Sequence, residues 1–280
     1  MSDDGQMAGK RVLVTGSDTG IGRGVALEFA RAGAAVALHY PQGPGGAQSA
    51  VDEIAQAGGK AAAFHADFND VAQVRGLAAQ AIAFLGGLDV LVNNAGITMN
   101  LPFEQVTVEQ FDTLYHVNVR GMFFLTQAAL PALSAQRAGK TAGVVINLSS
   151  VHAFAGMTEH TVYAGTKGAI AAYTRVLALE LSQKGVRVNA IAPGWVLVEN
   201  HLKAMVNFDE AASAAAIPAG FIARPSDVGR LAIFLASDDA RYLVGQTLTF
   251  DGGQLAIMPN TGDFREPRQD HWGRGYVPGL

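Results

Sequence analysis

Short apolar runs rich in β-branched residues alternate with longer segments of helical period along most of the chain. Strands that are apolar on both faces and separated by helices are typical of a parallel sheet covered on each side by helices. The predicted strands are residues 11–15, 35–40, 60–66, 88–92, 143–148, 186–191 and 246–250. The predicted helices are a segment ending near residue 32 and residues 48–57, 71–85, 108–137, 162–183 and 226–236.

Proline and glycine mark the interruptions of this pattern. Residues 41–46 are a predicted flexible loop, and Pro131 is expected to bend or break the helix 108–137. Because no repeat or linker divides the pattern, we predict one α/β domain over residues 10–253. We expect a flexible N-terminus over residues 1–9 and a separate tail over residues 254–280, which is rich in Arg, Gly and Pro.

Composition excludes several classes of protein. The chain has 280 residues, of which 49% are hydrophobic and 16% charged, so there is ample material for a core. A net charge of −4 provides no electrostatic footprint for nucleic acid or an anionic membrane. There is no cysteine, no basic-then-apolar signal segment and no apolar run approaching about 18 residues. We therefore expect a soluble cytoplasmic protein without nucleic-acid or membrane partners.

Tyr163 and Lys167 are four positions apart in a predicted helix, so they share one face. An ammonium beside a phenol favours the phenolate, and we expect Lys167 to lower the pKa of Tyr163 from about 10. Ser150, thirteen positions before the tyrosine and after a predicted strand, could hold a substrate oxygen against that phenol. The three side chains predict a proton-transfer site for an alcohol or a carbonyl, although the Tyr-x-x-x-Lys spacing alone is common in helices.

A second candidate site is the glycine turn from Thr15 to Gly22, between the first strand and its helix. Glycines let the backbone approach a pyrophosphate, and a helix N-terminus favours the negative charge. Asp67 and the run Asn93–Gly96 follow the third and fourth strands, at the sheet edge where such folds bind ligands. An ordinary tight turn, a helix-capping aspartate and a plain asparagine turn are the alternative interpretations.

Taken together, these motifs resemble the short-chain dehydrogenase/reductase family over roughly residues 8–255. The matching positions are 15–22, Asp67, 93–96, Asn118, Ser150, Tyr163, Lys167, Pro193 and Gly194. The resemblance implies a doubly wound Rossmann-type domain of about seven parallel strands that binds a nicotinamide dinucleotide.

The resemblance also implies the catalytic roles. Tyr163 is the general base for alcohol oxidation and the acid for carbonyl reduction, Ser150 positions the reacting oxygen, and Lys167 stabilises the phenolate and binds the nicotinamide ribose. Asn118 holds a water that links Lys167 to solvent. Its alternative interpretation is a buried polar residue that satisfies a kinked helix. Because hydride passes directly to the cofactor and no ligand cluster such as H-E-x-x-H is present, we expect no metal.

For the cofactor, the resemblance implies contacts from the turn, the adenine edge, the platform beneath the cofactor and the loop that covers the nicotinamide. The residues are Gly16, Ser17, Asp18, Thr19, Gly20, Ile21, Gly22, Tyr40, Asp67, Phe68, Asn94, Ala95, Gly96, Tyr163, Lys167, Pro193, Gly194 and Val196. Val198 stands where family members usually carry a threonine, whose hydroxyl would make one cofactor hydrogen bond worth roughly 1 kcal/mol.

The end of the second strand decides between NAD and NADP. It has neither the acid that would bind the ribose hydroxyls nor a base that would pair with a 2′-phosphate, since Tyr40 and Pro41 stand there. Thr19 is neutral, and Asp18 places a negative charge nearby. A dianionic phosphate beside a carboxylate is unfavourable. We therefore expect NAD, with NADP as the alternative.

The segments around Ser150 and 245–253 look closest to sugar 1-dehydrogenases of the glucose type. We expect oxidation of an aldose at C1 to its lactone, with reduction of another carbonyl compound, such as a 3-oxoacyl thioester, as the alternative. A non-catalytic dinucleotide sensor is the hypothesis from another class. A mobile lid is expected at about 195–219, and a homotetramer whose tail reaches a neighbouring subunit. The substrate candidates are His152, Glu159, Asn200, His201, Lys203, Arg265 and Arg268, with His160 on the same polar rim.

Overall fold

The computed structural model describes residues 5–135, 143–199, 203, 205, 207–257 and 263–265. Its strands are β1 Arg11–Val14, β2 Ala35–Tyr40, β3 Ala61–His65, β4 Val90–Asn93, β5 Val144–Leu148, β6 Arg187–Pro193 and β7 Thr247–Phe250. Its helices are α1 Gly20–Arg31, α2 Gly45–Gln56, α3 Val71–Leu85, α4 Val108–Tyr115, α5 Met122–Leu133, α6 Thr161–Ser182, α7 Glu210–Ala215 and α8 Pro225–Ala236.

All seven strands form one parallel sheet in the order β3-β2-β1-β4-β5-β6-β7. The chain runs outward from β1 to β3, returns to pair β4 with β1, and continues outward to β7. The strand order therefore reverses between β1 and β4, which opens a crevice at the carboxyl ends of these strands. This is the predicted Rossmann-type architecture, and the prediction is confirmed.

The two faces of the sheet bury separate halves of the core. On β1, Val12 and Val14 belong to one cluster of buried residues and Leu13 belongs to the other, as the two-residue period of a strand requires. Phe29 of α1 packs in the first cluster, and Leu125 of α5 packs in the second. Each such fully buried side chain contributes roughly 1.5–3 kcal/mol of transfer free energy. The two packed layers hold the strand ends, and hence the crevice, in fixed positions.

The prediction of one long helix over residues 108–137 is wrong. It divides into α4, a π-helical segment His116–Gly121 and α5. Thr107 starts α4 through a capping box with Gln110. Pro131 lies inside α5 and does not end it, whereas the break occurs around Asn118, where an inserted residue widens the turn. The predicted end at 137 lies outside the described residues.

Smaller boundary predictions also change. β6 continues to Pro193 because its last residues pair with β7, and α2 begins at Gly45, inside the predicted loop. In the N-terminal segment expected to be flexible, Met7 is buried and its amide donates to the Ala32 carbonyl at 2.8 Å. Within the described residues, no helix combines the length and the apolar character that crossing a membrane requires.

Candidate active site

Tyr163 and Ser150 meet where α6 begins and β5 has just ended. Tyr163 lies in the first turn of α6, and Ser150 follows β5 in an extended conformation. The Ser150 hydroxyl accepts the His152 amide proton at 3.2 Å and is hydrogen-bonded to the Tyr163 phenol. Lys167, one turn further along α6, places its Nζ 5.5 Å from the centroid of the Tyr163 ring. The structure thus brings together the three side chains that the spacing placed on one site.

Lys167 is buried, with 5% of its surface exposed. Its Nζ donates to the Leu148 carbonyl at 2.9 Å, and the Ser149 hydroxyl donates to the Lys167 carbonyl at the same distance. These two bonds lock α6 against the end of β5. Burial lowers the pKa of Lys167 from 10.5 to about 8, because the ammonium loses its water shell.

The prediction that Lys167 lowers the pKa of Tyr163 is wrong for the protein without a bound cofactor. Burial raises the pKa of Tyr163, and the hydrogen bond with Ser150 lowers it by less. Desolvation of the phenolate outweighs the attraction of the Lys167 ammonium, whose Nζ lies 5.5 Å from the centroid of the Tyr163 ring. The phenol is therefore protonated at neutral pH, which suits a proton donor.

Asn118 lies in the π-helical segment and is fully buried. Its carboxamide accepts the Ile97 amide proton and donates to the Ile97 carbonyl, each at 2.8 Å, and it also donates to the Thr166 hydroxyl at 3.1 Å. The side chain therefore ties the loop after β4 to α6. A Cβ built on Gly96 would lie 3.2 Å from Asn118 Oδ1 and 3.6 Å from Lys167 Nζ, so both polar groups face one point. The water relay expected here stays a prediction.

The glycine turn between β1 and α1 has no room for side chains. Gly16 and Gly20 have left-handed φ values of 57° and 56°. A Cβ on Gly22 would lie 2.0 Å from the Gly16 carbonyl oxygen, and one on Gly16 would lie 2.9 Å from the Cα of Ala95. Such a cradle at the N-terminus of α1 fits the pyrophosphate of a dinucleotide. Of the remaining turn residues, Ser17 is buried, Asp18 and Ile21 are half-buried and Thr19 is exposed.

Asn94 holds this turn to the end of β4. Its carboxamide donates to the carbonyls of Thr15 at 2.9 Å and Gly16 at 2.8 Å. The Thr15 hydroxyl accepts the amide protons of Asn94 at 3.0 Å and Ala95 at 2.9 Å. Four hydrogen bonds thus join the ends of the two strands on either side of the crevice. The role of Asn94 in a cofactor platform stays a prediction.

At the adenine edge, Asp67 is engaged with its own loop. Its carboxylate accepts from the Asn69 amide at 2.8 Å and the Asn69 side chain at 3.0 Å. The cap of α3 is Asp70 instead, which rules out the capping interpretation of Asp67. Phe68 is buried, and Tyr40 is half-buried with its ring centroid 5.6 Å from that of His65.

The loop after β6 closes the crevice from the other side. A Cβ on Gly194 would lie 2.9 Å from the backbone Cα of Asp251 and 2.7 Å from its Cβ, so glycine is required there. Val196 is buried and forms a parallel bridge with Ala223. Val198 lies against Gly20, and the Glu199 carboxylate accepts the Gly20 amide proton at 3.3 Å.

Of the predicted substrate-binding residues, His152 and His160 lie together beside Tyr163. The imidazoles of His152 and His160 stack in parallel with centroids 4.8 Å apart, and both rings meet Tyr163 edge-on, at 5.6 Å and 6.3 Å. Burial, followed by the nearby His160, lowers the pKa of His152. Glu159 is exposed with a left-handed φ of 66°, and its carbonyl accepts the Leu101 amide proton at 3.0 Å.

Of the other substrate candidates, only Lys203 and Arg265 are among the described residues. Lys203 is exposed, and Arg265 is exposed with its guanidinium on the Ala215 carbonyl and on Asp263. Asn200, His201 and Arg268 lie outside the described residues. Among the residues that are described, no group of three or more His, Asp or Glu side chains is arranged to hold a metal ion.

Two residues of the crevice were missed by sequence reasoning. His39 of β2 bonds to the glycine turn, and Glu199 bonds to the first amide of α1. A histidine inside an otherwise apolar strand was a visible signal for the first. Nothing local marks Glu199, because its partner is 179 positions away.

An all-parallel sheet with a glycine cradle at its switch point, next to a buried Ser–Tyr–Lys group, defines an oxidoreductase that works with a nicotinamide dinucleotide. A family model described as Enoyl-(Acyl carrier protein) reductase matches residues 16–254. The chain belongs to the short-chain dehydrogenase/reductase family.

Three relatives illustrate the similarity. An uncharacterized oxidoreductase of Methylorubrum extorquens is 40% identical over 250 residues, which cover 89% of this chain and 98% of the relative. A hydroxynaphthalene reductase-like protein of Metarhizium anisopliae is 37% identical over 262 residues, covering 89% and 96%. A crystal structure of a short chain dehydrogenase from Burkholderia cenocepacia in complex with NADP is 31% identical with a TM-score of 0.81, covering 89% and 99%.

Proposed function

We propose that the protein reduces a cyclic ketone to a secondary alcohol, and that the reverse oxidation uses the same groups. A bound nicotinamide dinucleotide supplies or accepts the hydride. Tyr163 donates its phenolic proton to the carbonyl oxygen of the substrate, and Ser150 donates a second hydrogen bond to that oxygen. Lys167, charged below a pKa of about 8, stabilises the phenolate that remains.

The observation that carries this proposal is the Ser150–Tyr163 hydrogen bond beside the buried Lys167. Tyr163→Phe removes the proton donor, and we expect turnover to fall at least about a thousandfold, at the upper part of the range for general acid catalysis. Binding of NADH or NADPH, followed by calorimetry, should stay within about threefold of the wild type.

A matched control is Tyr173→Phe on the same helix. The Tyr173 hydroxyl is buried and has no hydrogen-bond partner among the described residues, so its removal should leave turnover unchanged. If Tyr163→Phe retains turnover comparable to Tyr173→Phe, the catalytic assignment is wrong. A dinucleotide sensor without catalysis would show no turnover in the wild type with any substrate.

The surroundings of Tyr163 support a ring-shaped substrate with more than one oxygen. His152 is half-buried and meets the phenol edge-on, so its imidazole can offer both a hydrogen bond and a flat face. His160 stacks parallel to it but is buried, with its Nδ1 bonded to the Thr158 carbonyl. Phe154 and Met157, in the segment between His152 and His160, are 53% and 55% exposed and add apolar surface. The name of the Metarhizium anisopliae relative, a hydroxynaphthalene reductase-like protein, agrees with a cyclic ketone.

Oxidation of an aldose at C1 to its lactone is the second candidate. It is favoured by the polar character of the imidazole pair, since a sugar needs several hydrogen-bonding groups. A panel of aldoses with NAD and NADP, assayed beside hydroxylated cyclic ketones with NADH and NADPH at 340 nm, separates the two candidates. Turnover confined to aldoses would replace the ketone proposal.

NAD is the proposed cofactor. The Arg23 guanidinium, on the α1 face beside the β2–α2 loop, already binds the Gly46 carbonyl at 2.8 Å and Glu53 at 3.1 Å. Asp18 packs against Gly46, and burial raises its pKa, so an added phosphate would meet a poorly solvated acid. Asp18→Asn should therefore improve kcat/KM for NADP relative to NAD. A tenfold preference of the wild type for NADP would refute the proposal.

The protein is proposed to act as a cytoplasmic homotetramer. Three helices, α4, α5 and α6, expose large apolar side chains that suit a subunit interface. These are Phe111, Phe123, Val176 and Leu179, which are 44%, 45%, 57% and 69% exposed. Light scattering coupled to size-exclusion chromatography measures the assembly, and a monomeric mass at micromolar concentration would refute it.

A further inference from the structure

His39 is a buried histidine of β2 that the chemistry at Tyr163 does not use. Only 1% of its surface is exposed, although the strand around it is apolar. It immediately precedes Tyr40, the residue at the strand end where the ribose is expected. A buried polar side chain costs free energy unless all its hydrogen bonds are made, so its partners show what it holds.

Both ring nitrogens of His39 bind backbone groups of the crevice. Nδ1 accepts the Gly16 amide proton at 2.9 Å, and Nε2 lies 2.9 Å from the Ala66 carbonyl oxygen. An amide can only donate and a carbonyl can only accept, so the ring is neutral with its proton on Nε2. The ring also packs on Phe68, with centroids 4.7 Å apart.

The backbone of His39 makes two further bonds to the glycine turn. Its amide donates to the Ser17 hydroxyl at 3.0 Å, and its carbonyl accepts the Ser17 amide proton at 2.9 Å. Burial lowers the pKa of His39 to about 4, opposed by the bond to Ala66 and assisted by the nearby His65. The neutral tautomer is thus maintained throughout the neutral range.

We propose that His39 is a positioning residue for the adenosine half of the dinucleotide. The imidazole spans the crevice floor and sets the separation between Gly16, in the turn that cradles the phosphates, and Ala66, next to the adenine edge. Gly16 is the partner in the phosphate cradle: His39 accepts its amide proton, and the Asn94 carboxamide bonds its carbonyl. The inference rests on dinucleotide binding in the proposed function and is independent of the substrate.

Three substitutions at His39 test it. His39→Phe keeps a ring and loses both bonds. His39→Asn places an amide oxygen near the position of Nδ1, and His39→Gln places an amide nitrogen near the position of Nε2, so each restores one partner. We expect the Kd for ADP-ribose and for NADH, measured by calorimetry, to rise about tenfold in the Phe and Gln variants and less than threefold in the Asn variant.

The kinetic expectation separates positioning from catalysis. KM for the dinucleotide should rise with Kd, while kcat at saturating dinucleotide stays within about twofold, because Tyr163 is not touched. Val36→Ala is the control for general destabilisation, since it removes buried volume from the same strand away from the crevice. It should lower the melting temperature and leave both Kd values unchanged.

The inference is overturned if a folded Phe or Gln variant binds ADP-ribose as tightly as the wild type, or if Val36→Ala weakens binding by the same factor. It is also overturned if Asn fails to rescue where Gln succeeds, since Gly16 would then not be the critical partner. A wild-type protein that binds neither NADH, NADPH nor ADP-ribose would instead refute the dinucleotide site itself, and with it the proposed function.

Discussion

Lys167→Met should stabilise the protein while it lowers turnover. The wild-type ammonium is buried, and its pKa falls from 10.5 to about 8 on folding. At about 1.4 kcal/mol per pKa unit, keeping this lysine charged costs the folded protein roughly 3 kcal/mol at pH 7. Methionine fills a similar volume without charge, but it loses the bond to the Leu148 carbonyl, worth about 1 kcal/mol. The variant should therefore be about 2 kcal/mol more stable at pH 7.

The stability difference between the wild type and the variant should depend on pH. Between pH 8 and 10.5 the unfolded chain keeps the proton on Lys167 while the folded protein releases it, so the wild-type free energy of unfolding rises with pH. The variant lacks this contribution. Integrated from pH 7 to pH 9.5, the rise is about 2 kcal/mol, and the advantage of the variant should nearly vanish at the upper pH.

Urea unfolding at both pH values, at one protein concentration and without dinucleotide, measures the difference. Lys184→Met, an exposed lysine just beyond α6, controls for the substitution itself and should show no such change. Turnover of the Lys167 variant should fall by at least about a hundredfold. A variant that is no more stable at pH 7, or whose advantage does not depend on pH, would refute the desolvation argument.

The remaining predictions concern the crevice. Gly22→Ala forces a Cβ to 2.0 Å from a carbonyl oxygen and should abolish dinucleotide binding by calorimetry, whereas Gly76→Ala, inside α3 with its nearest neighbour at 3.8 Å, should add about 0.5–1 kcal/mol of stability in urea. The Glu199 carboxylate accepts the Gly20 amide proton, at the helix end where the dinucleotide phosphates are expected to bind, so it competes with them for that amide. Glu199→Gln removes the negative charge and should lower the Kd for NADH, and an increased Kd would refute this competition. Truncation after Gly253 should raise KM for substrate if the tail completes the site, and unchanged kinetics would refute that role.

Much of the fold followed from local pattern. Apolar runs and their spacing predicted the seven strands and the α/β class, because a strand between two helix layers is buried on both faces and reads as a continuous apolar run. The Ser150–Tyr163–Lys167 group was equally predictable. Tyr163 and Lys167 are one helical turn apart, and Ser150 follows β5, the strand against which that helix packs.

Other features depended on neighbours far along the chain. The π-helical break at Asn118 follows from bonds to Ile97 and Thr166, and helical period alone predicted an unbroken helix there. The direction of the Tyr163 pKa was decided by desolvation, which only the packed structure determines.

The sequence by itself determined the order of strands and helices, the glycine turn and the spacing of the proton-transfer residues, since each is set by residues that are close along the chain. Only the tertiary structure decided that His39 spans the crevice floor and that Glu199 meets the first amide of α1. Those contacts join strands and loops whose separation in sequence carries no periodic signal. They exist because the parallel sheet brings its carboxyl ends to one edge.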